Sequence, residues 1–143
     1  MKKIIRTLTI AVIALVSVFA CAFAAACGDG KEGNSDYNFT IVYEDGTAVN
    51  GQTGGANGGK VATQICLPES EGGKCVPLSL PTINIFPDEN GKLSLSQAKV
   101  NELFGSTTDV TVFLFHVMAV PGYKADCEIS VNGKNDYKIT LSK

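Results

Sequence analysis

The thiol and imidazole side chains, which most often bind metals or act in catalysis, are few in this chain: five cysteines and a single histidine. Cys66 and Cys75 bracket a polar loop between two strand-like segments. A disulfide there would close a short hairpin-like loop and, in the chain-entropy model, would contribute roughly 2–3 kcal/mol. The alternatives are metal ligands or a redox pair. Two cysteines with one distant histidine make a poor zinc set, and the spacing is not that of a C-x-x-C motif, so the pattern favours a structural disulfide.

The remaining candidates for chemistry are Cys127 and His116. Cys127 lies on the apolar side of an alternating segment, so it is predicted to be a free thiol packed in the core. His116 stands beside Met118 in an apolar strand, where a hydrogen-bonded core or edge residue is commoner than a metal, haem or catalytic ligand. No G-x-S-x-G nucleophile motif occurs. The sequence therefore predicts no catalytic residue, no metal and no cofactor.

A glycine-rich segment, residues 46–59, invites comparison with a phosphate-binding loop. Gly54, Gly59 and Lys60 have the spacing of a P-loop, whose backbone amides cradle phosphates. Val61, however, occupies the position of the magnesium-binding Ser or Thr, and the following residues resemble a strand instead of a helix. The segment is predicted to be a long mobile loop.

The turn at residues 87–92 shares several residue types with a calcium-binding loop. When Gly91 is aligned with the invariant glycine of that loop, Phe86 falls where the first Asp belongs and Gln97 where the bidentate Glu belongs. Both losses remove charge, so no calcium site is predicted.

The first 27 residues indicate where the protein works. A basic head (Lys2, Lys3 and Arg6) precedes an apolar run and three alanines, which is the pattern of a secretory signal peptide. Because Cys27 follows the alanines directly, the segment resembles a bacterial lipoprotein signal, in which the cysteine becomes the first mature residue and carries the lipid. The resemblance implies a protein exported and lipid-anchored to the outer face of the bacterial cell membrane.

Other readings of this segment stay open. Cys21 competes for the lipid, but bulky Phe19 lies just before it and the change to polar sequence comes after Cys27. Neither cysteine is preceded by the leucine common in such signals. An ordinary cleaved signal is the second alternative. An uncleaved anchor is the third, although the apolar run is at the lower end of spanning length.

The chain divides into a signal peptide (1–26), a Gly-rich polar tether (27–36) and one domain (37–143). Removing the signal leaves nine basic residues against 14 acidic ones, a net charge of about −5. Nucleic acid and anionic lipid surfaces are therefore improbable partners. An exported chain permits disulfides, and the odd number of remaining cysteines leaves one thiol.

Short alternating segments separated by turns run through the domain. Tyr37 to Tyr43 and Lys60 to Leu67 alternate with period two, which predicts half-buried strands. Val76 to Phe86 contains two prolines and is predicted to be an edge or broken strand. Asp109 to Val120 is apolar on both faces, which predicts a central strand covered on both sides or lying at an interface.

The last part of the chain adds a helix and two strands. Ser96 to Phe104 is the single helical candidate, with Ser96 as N-cap and Gly105 as terminator. Asn132-Gly133 predicts a hairpin between the final strands. The fold class is therefore all-β: an antiparallel β-sandwich of about seven strands with one short helix, preceded by an N-terminal hydrophobic signal helix.

The order of motifs resembles the Cna B-type or prealbumin-like (transthyretin-like) sandwich modules of bacterial surface proteins. The resemblance rests on YEDGTAV after the first strand, DENGK at residues 88–92 and VPGY before the last two strands. It also implies a cysteine pair near Cys66 and Cys75. The isopeptide bond of many Cna B-type domains is not expected, because the first strand has no Lys. Transthyretin-like hydrolases use several histidines, whereas this domain has only His116, so their activity is not expected here.

Three functions compete. The first is a non-enzymatic, membrane-anchored module for binding, adhesion or spacing at the cell surface, with a surface protein or glycan as its partner. The second is a glycan- or small-molecule-binding lipoprotein. The third is a hydrolase, which the absence of a recognisable nucleophile motif makes the weakest.

Overall fold

The computed structural model of this protein describes residues 36–105 and 109–143. The predicted signal peptide and the predicted tether up to residue 35, with Cys21 and Cys27, lie outside the described residues. The first strand begins at Asp36, one residue before the predicted start of the domain. No helix among the described residues is long and apolar enough to cross a membrane.

The described residues form seven strands, one α-helix and two 3-10 turns. The helix, α1, spans Gln97–Phe104, and the 3-10 turns span Ala56–Gly58 and Glu69–Glu71. The predicted all-β class is confirmed. The strands are β1 (Asp36–Tyr43), β2 (Thr63–Cys66), β3 (Cys75–Pro77), β4 (Lys92–Ser96), β5 (Phe113–Val117), β6 (Cys127–Val131) and β7 (Asp136–Leu141).

The strands form two sheets, one with the order β4-β1-β7 and the other with the order β3-β2-β5-β6. Every pairing is antiparallel except that of β1 with β7, which is parallel. The hairpin predicted at Asn132-Gly133 is wrong, because β6 and β7 belong to different sheets. A turn signal is local, whereas β7 pairs with β1, where Ile139 and Leu141 are buried.

Aromatic side chains from both sheets meet in the core. Phe39 of β1 stacks on Phe115 of β5, with ring centroids 3.9 Å apart, and on Tyr137 of β7 at 5.5 Å. Tyr37 meets Phe113 edge to face at 4.9 Å. Tyr37, Phe39 and Tyr137 lie on the faces that alternation predicts to be buried, and such aromatic pairs add about 0.5–1.5 kcal/mol each beyond area burial.

The strand β5 is central, as predicted, with β2 and β6 on its two sides. Its inner face (Phe113, Phe115 and Val117) is buried. Its outer face is not: Leu114 and His116 are only partly buried, and Met118 just beyond the strand is 36% exposed. The described residues therefore cover only one face of β5, and not both.

The loop at residues 46–59 is not the free segment that its composition predicts. Val49 within it is fully buried, and its N–H donates to the carbonyl of Ile41 at 3.0 Å. The Gly51 N–H donates to the Asp88 carbonyl at 2.9 Å, and a Cβ at this position would collide with Pro87. The glycines here allow close backbone approach, so the loop packs against the turn before β4.

The helix α1 forms where predicted, and the structure supplies its role. Ser96 caps its N-terminus by accepting from the Lys99 N–H at 3.1 Å, and Gly105 ends it at φ 65°. Val100 and Phe104 are buried against the core. The apolar face of the helix therefore closes one end of the sandwich.

Amide side chains tie α1 to the segment that leads into β5. The phenol of Tyr37 donates to Gln97 Oε1 at 2.5 Å, and Gln97 Nε2 donates to the Val110 carbonyl. The Val110 N–H in turn donates to Asn101 Oδ1 at 2.9 Å. Burial, followed by the charges of Tyr137 and Asp109, raises the pKa of Tyr37, so its phenol remains a donor.

The inward-facing Thr63 is fully buried, and its hydroxyl has no hydrogen-bond partner among the described residues. Burying an unpaired hydroxyl costs about 1–3 kcal/mol. We therefore expect Thr63→Val, which keeps the side-chain shape, to raise the free energy of unfolding in urea by about 1 kcal/mol. The control is Thr140→Val, at an exposed threonine of β7, and is expected to change little. A destabilised Thr63→Val would show that the hydroxyl is paired.

Candidate functional site

The predicted disulfide is present. Cys66 of β2 and Cys75 of β3 face each other in the antiparallel register, with their sulfurs 2.02 Å apart and their Cα atoms 4.0 Å apart. Cys66 lies off the inward face of its strand, as the alternation predicts, yet it is only 5% exposed. The bond therefore ties the edge strand β3, which has only three residues, to its inner neighbour β2.

The disulfide loop also contacts the helix. Lys74, next to Cys75, directs its ammonium group to the Phe104 carbonyl at 3.4 Å. That carbonyl belongs to the last turn of α1, where carbonyls lack helical partners and a positive charge is favourable. The disulfide loop and the helix therefore support each other at the same end of the sandwich.

The prediction that Cys127 is buried in the core is only half right. The side chain faces the core but is partly exposed, because β6 is an edge strand. Its sulfur lies 3.6 Å from the Thr140 carbonyl, to which the thiol donates. Burial raises the pKa of the Cys127 thiol, which disfavours the thiolate needed for nucleophilic chemistry.

His116 projects from the outer face of β5 toward its cross-strand neighbour Glu128. The His116 Nε2 to Glu128 Oε2 distance is 3.4 Å, and the two side chains are 15% and 51% exposed. His116 is therefore a paired residue, as the sequence favours for a lone histidine, but it lies on a central strand and not at an edge. In the ranges 36–105 and 109–143, no group of three or more His, Cys, Asp or Glu side chains is placed to hold a metal ion.

The P-loop-like spacing does not assemble a phosphate site. Ala56–Gly58, between Gly54 and Lys60, form a 3-10 turn, and Val61 is buried just before β2. The ammonium of Lys60 lies over the ring of Phe86, 4.7 Å from its centroid. The Lys60 charge is therefore engaged by an aromatic ring, and the prediction that this segment is not a P-loop agrees with the structure.

The candidate binding surface is a concavity of about 410 Å³ on the outer face of the β4-β1-β7 sheet. Three polar side chains cross it in one row, because Ser94 of β4 and Asp136 of β7 both pair with Asn38 of β1. Ser94 Oγ donates to Asn38 Oδ1 at 2.5 Å, and Asn38 Nδ2 donates to Asp136 Oδ1 at 2.9 Å. The concavity is lined by Asn38, Phe39, Thr40, Lys92, Leu93, Ser94 and Asp136.

Sequence reasoning missed this surface for two reasons. The strand β4 was not predicted, although Lys92 to Leu95 alternates polar and apolar residues and so carried the signal. The parallel pairing that brings Asp136 beside Asn38 has no local signal, since the two residues are 98 positions apart. Asn38 by itself is an unremarkable outward residue of a predicted strand.

No protein-family profile and no curated protein matches this sequence. A solved structure of a DUF3823 family protein from Parabacteroides merdae ATCC 43184 is similar to this chain with a TM-score of 0.44 and 14% identity. The similarity covers 74% of this chain and 43% of the solved one, so this chain spans less than half the length of that protein. By its own structure the chain is a disulfide-linked two-sheet β-sandwich with a polar concavity.

Proposed function

We propose that this protein is an extracytoplasmic bacterial lipoprotein, anchored in the membrane through a lipid on Cys27, whose sandwich is a non-enzymatic binding, adhesion or spacer module at the cell surface. In this proposal residues 1–26 are removed on export, and residues 27–36 are the tether that holds the sandwich away from the membrane. A diacylglycerol group supplies two acyl chains, which is enough for stable anchoring, whereas one chain is marginal.

The observation that carries the proposal is the Cys66–Cys75 disulfide. Disulfides persist in oxidising compartments and are rare in the cytosol, so the bond agrees with the export pattern of residues 1–27 by an independent line of reasoning. The Cna B-type or prealbumin-like resemblance supports the same setting, since those modules belong to bacterial surface proteins. The concavity on the β4-β1-β7 sheet gives such a module a shaped polar surface.

The non-enzymatic part of the proposal is supported by where the candidate groups lie. His116 is paired with Glu128 on the outer face of one sheet. The concavity lies on the outer face of the other sheet. The histidine and the concavity therefore lie on different sheets. We expect His116→Ala to leave any ligand binding unchanged.

The anchor is tested by the intact mass of the full chain after detergent extraction of membranes. We expect a chain that begins at Cys27, carries one diacylglycerol and lacks two hydrogens because of one disulfide. Cys27→Ser is expected to abolish lipidation and move the chain out of the membrane fraction, whereas the matched variant Cys21→Ser is expected to stay lipidated. A water-soluble wild-type chain, or lipid lost in Cys21→Ser only, would overturn the assignment.

A further inference from the structure

We infer that the concavity on the β4-β1-β7 sheet is a binding site for a hydroxyl-rich small ligand, that is, a carbohydrate. The inference rests on the proposed binding role and names its ligand class. It is carried by the hydrogen-bonded row of Ser94, Asn38 and Asp136, which crosses all three strands of the sheet at one register position.

The geometry of the sheet sets the footprint of the site. Neighbouring strands are about 4.8 Å apart, so a row across three strands spans about 10 Å. A second outward row lies two residues further along the strands, about 7 Å away, where Lys92 and Lys138 both pair with Thr40. Two rows of polar groups on a surface of about 10 by 7 Å match a flat ligand of one or two rings. The volume of about 410 Å³ lies at the low end of small-molecule sites.

The chemistry of the rows favours hydroxyl groups over an ionic group. Each sugar hydroxyl is both a donor and an acceptor, and the site offers both functions through an amide, two hydroxyls, a carboxylate and an ammonium group. The Asp136 carboxylate would repel an anion at one end of the first row. The Lys92 ammonium group would repel a cation at the second row. A neutral ligand with several hydroxyls meets neither penalty.

The first row is organised before any ligand arrives. Asn38 accepts from Ser94 and donates to Asp136, so its amide is held on both sides. Asp136 uses one carboxylate oxygen for Asn38, and its second oxygen, which accepts from no side chain in ranges 36–105 and 109–143, is the acceptor offered to a ligand. Side chains that are already ordered lose less conformational entropy on binding. The row therefore provides a fixed set of acceptors and donors within the concavity.

The experiment uses the full chain, purified from whichever cell fraction contains it. An array of neutral oligosaccharides (α-glucans, β-glucans, mannans, galactans and xylans) is followed by calorimetric titration of the oligosaccharides that bind. We expect binding that Asp136→Ala and Asn38→Ala each weaken tenfold or more. Thr40→Tyr, which fills the concavity without removing the row, is expected to abolish it. The control Thr140→Ala, exposed on β7 outside the concavity, is expected to bind as wild type.

Several results would overturn the inference. These are a silent array, binding that survives both Asp136→Ala and Thr40→Tyr, or full displacement of the sugar by inorganic sulfate. If Asn38→Ala fails to fold in a thermal melt, Asp136→Ala still decides, because Asp136 is exposed. A lipidated chain that binds no sugar would contradict the carbohydrate site and leave the proposed lipid anchor intact. A chain without lipid that binds sugar through this row would contradict the anchor and support the carbohydrate site.

Discussion

Replacing Gly91 with alanine is expected to lower the free energy of unfolding by about 3 kcal/mol or more, from two separate causes. Gly91 has φ 69°, in the left-handed region, where an L-residue with a Cβ pays about 1–2 kcal/mol. In addition, a Cβ at Gly91 would lie 2.5 Å from the Ile41 carbonyl oxygen and 2.8 Å from that of Val49. Both are backbone atoms, so the clash cannot be relieved by a side-chain rotation.

The position matters because three segments meet there. The Gly91 carbonyl accepts from the Ile41 N–H at 2.9 Å, and the Ile41 carbonyl accepts from the Val49 N–H at 3.0 Å. Moving Gly91 away from the clash would therefore disturb β1 and the packed loop together. Overpacking of this kind typically costs about 1–3 kcal/mol.

The matched control for Gly91 is Gly46→Ala. Gly46 also has positive φ, 84°, but a Cβ there would meet nothing within 4 Å. This variant isolates the conformational cost, expected to be about 1–2 kcal/mol. Urea unfolding of both variants gives the steric cost as the difference. Equal losses in the two variants would mean that the loop moves aside and that its contact with β1 is weak.

Removing the disulfide is expected to have the second-largest effect, a loss of about 2–3 kcal/mol in the double variant Cys66→Ala/Cys75→Ala. The bond closes the loop between β2 and β3, and without it the unfolded chain gains conformational freedom. The edge strand β3 has only three residues and includes Pro77, which cannot donate to the ladder. It is therefore the strand least able to remain paired without the covalent bond.

Reduction supplies the control for the disulfide. Dithiothreitol is expected to lower the stability of the wild type by the same amount and to leave the double variant unchanged. Cys127→Ala is expected to keep the full response to reductant, because Cys127 takes no part in the bond. A wild type that is insensitive to reductant, with Cys66 and Cys75 both alkylated, would contradict the assigned pairing.

Local patterns in the sequence predicted much of this fold. The alternation of β1 identified the buried face of Tyr37, Phe39 and Ile41. Ser96 and Gly105 marked the two ends of α1. The polar loop between Cys66 and Cys75 indicated the disulfide. Each of these features depends on residues close together in the chain, where hydrophobic periodicity, capping and loop closure act directly.

Features that depend on distant residues were not predictable in the same way. The glycine-rich loop has the composition of a free segment, yet Val49 is buried and its N–H donates to the Ile41 carbonyl of β1. The Asn132-Gly133 turn looks like a hairpin turn, yet it carries the chain from one sheet to the other. The partly exposed thiol of Cys127 follows from the edge position of β6, which alternation does not reveal.

The sequence by itself determined the class of the domain and the helix with its caps, because these rest on contiguous residue patterns; the export and lipid signal at Cys27 stays a prediction from the same kind of pattern. Only the tertiary structure decided that β1 lies between an antiparallel β4 and a parallel β7. That arrangement places Ser94, Asn38 and Asp136 in one row and so creates the candidate site. Strand order is chosen by the burial of whole faces, an interaction between segments, so no local pattern encodes it.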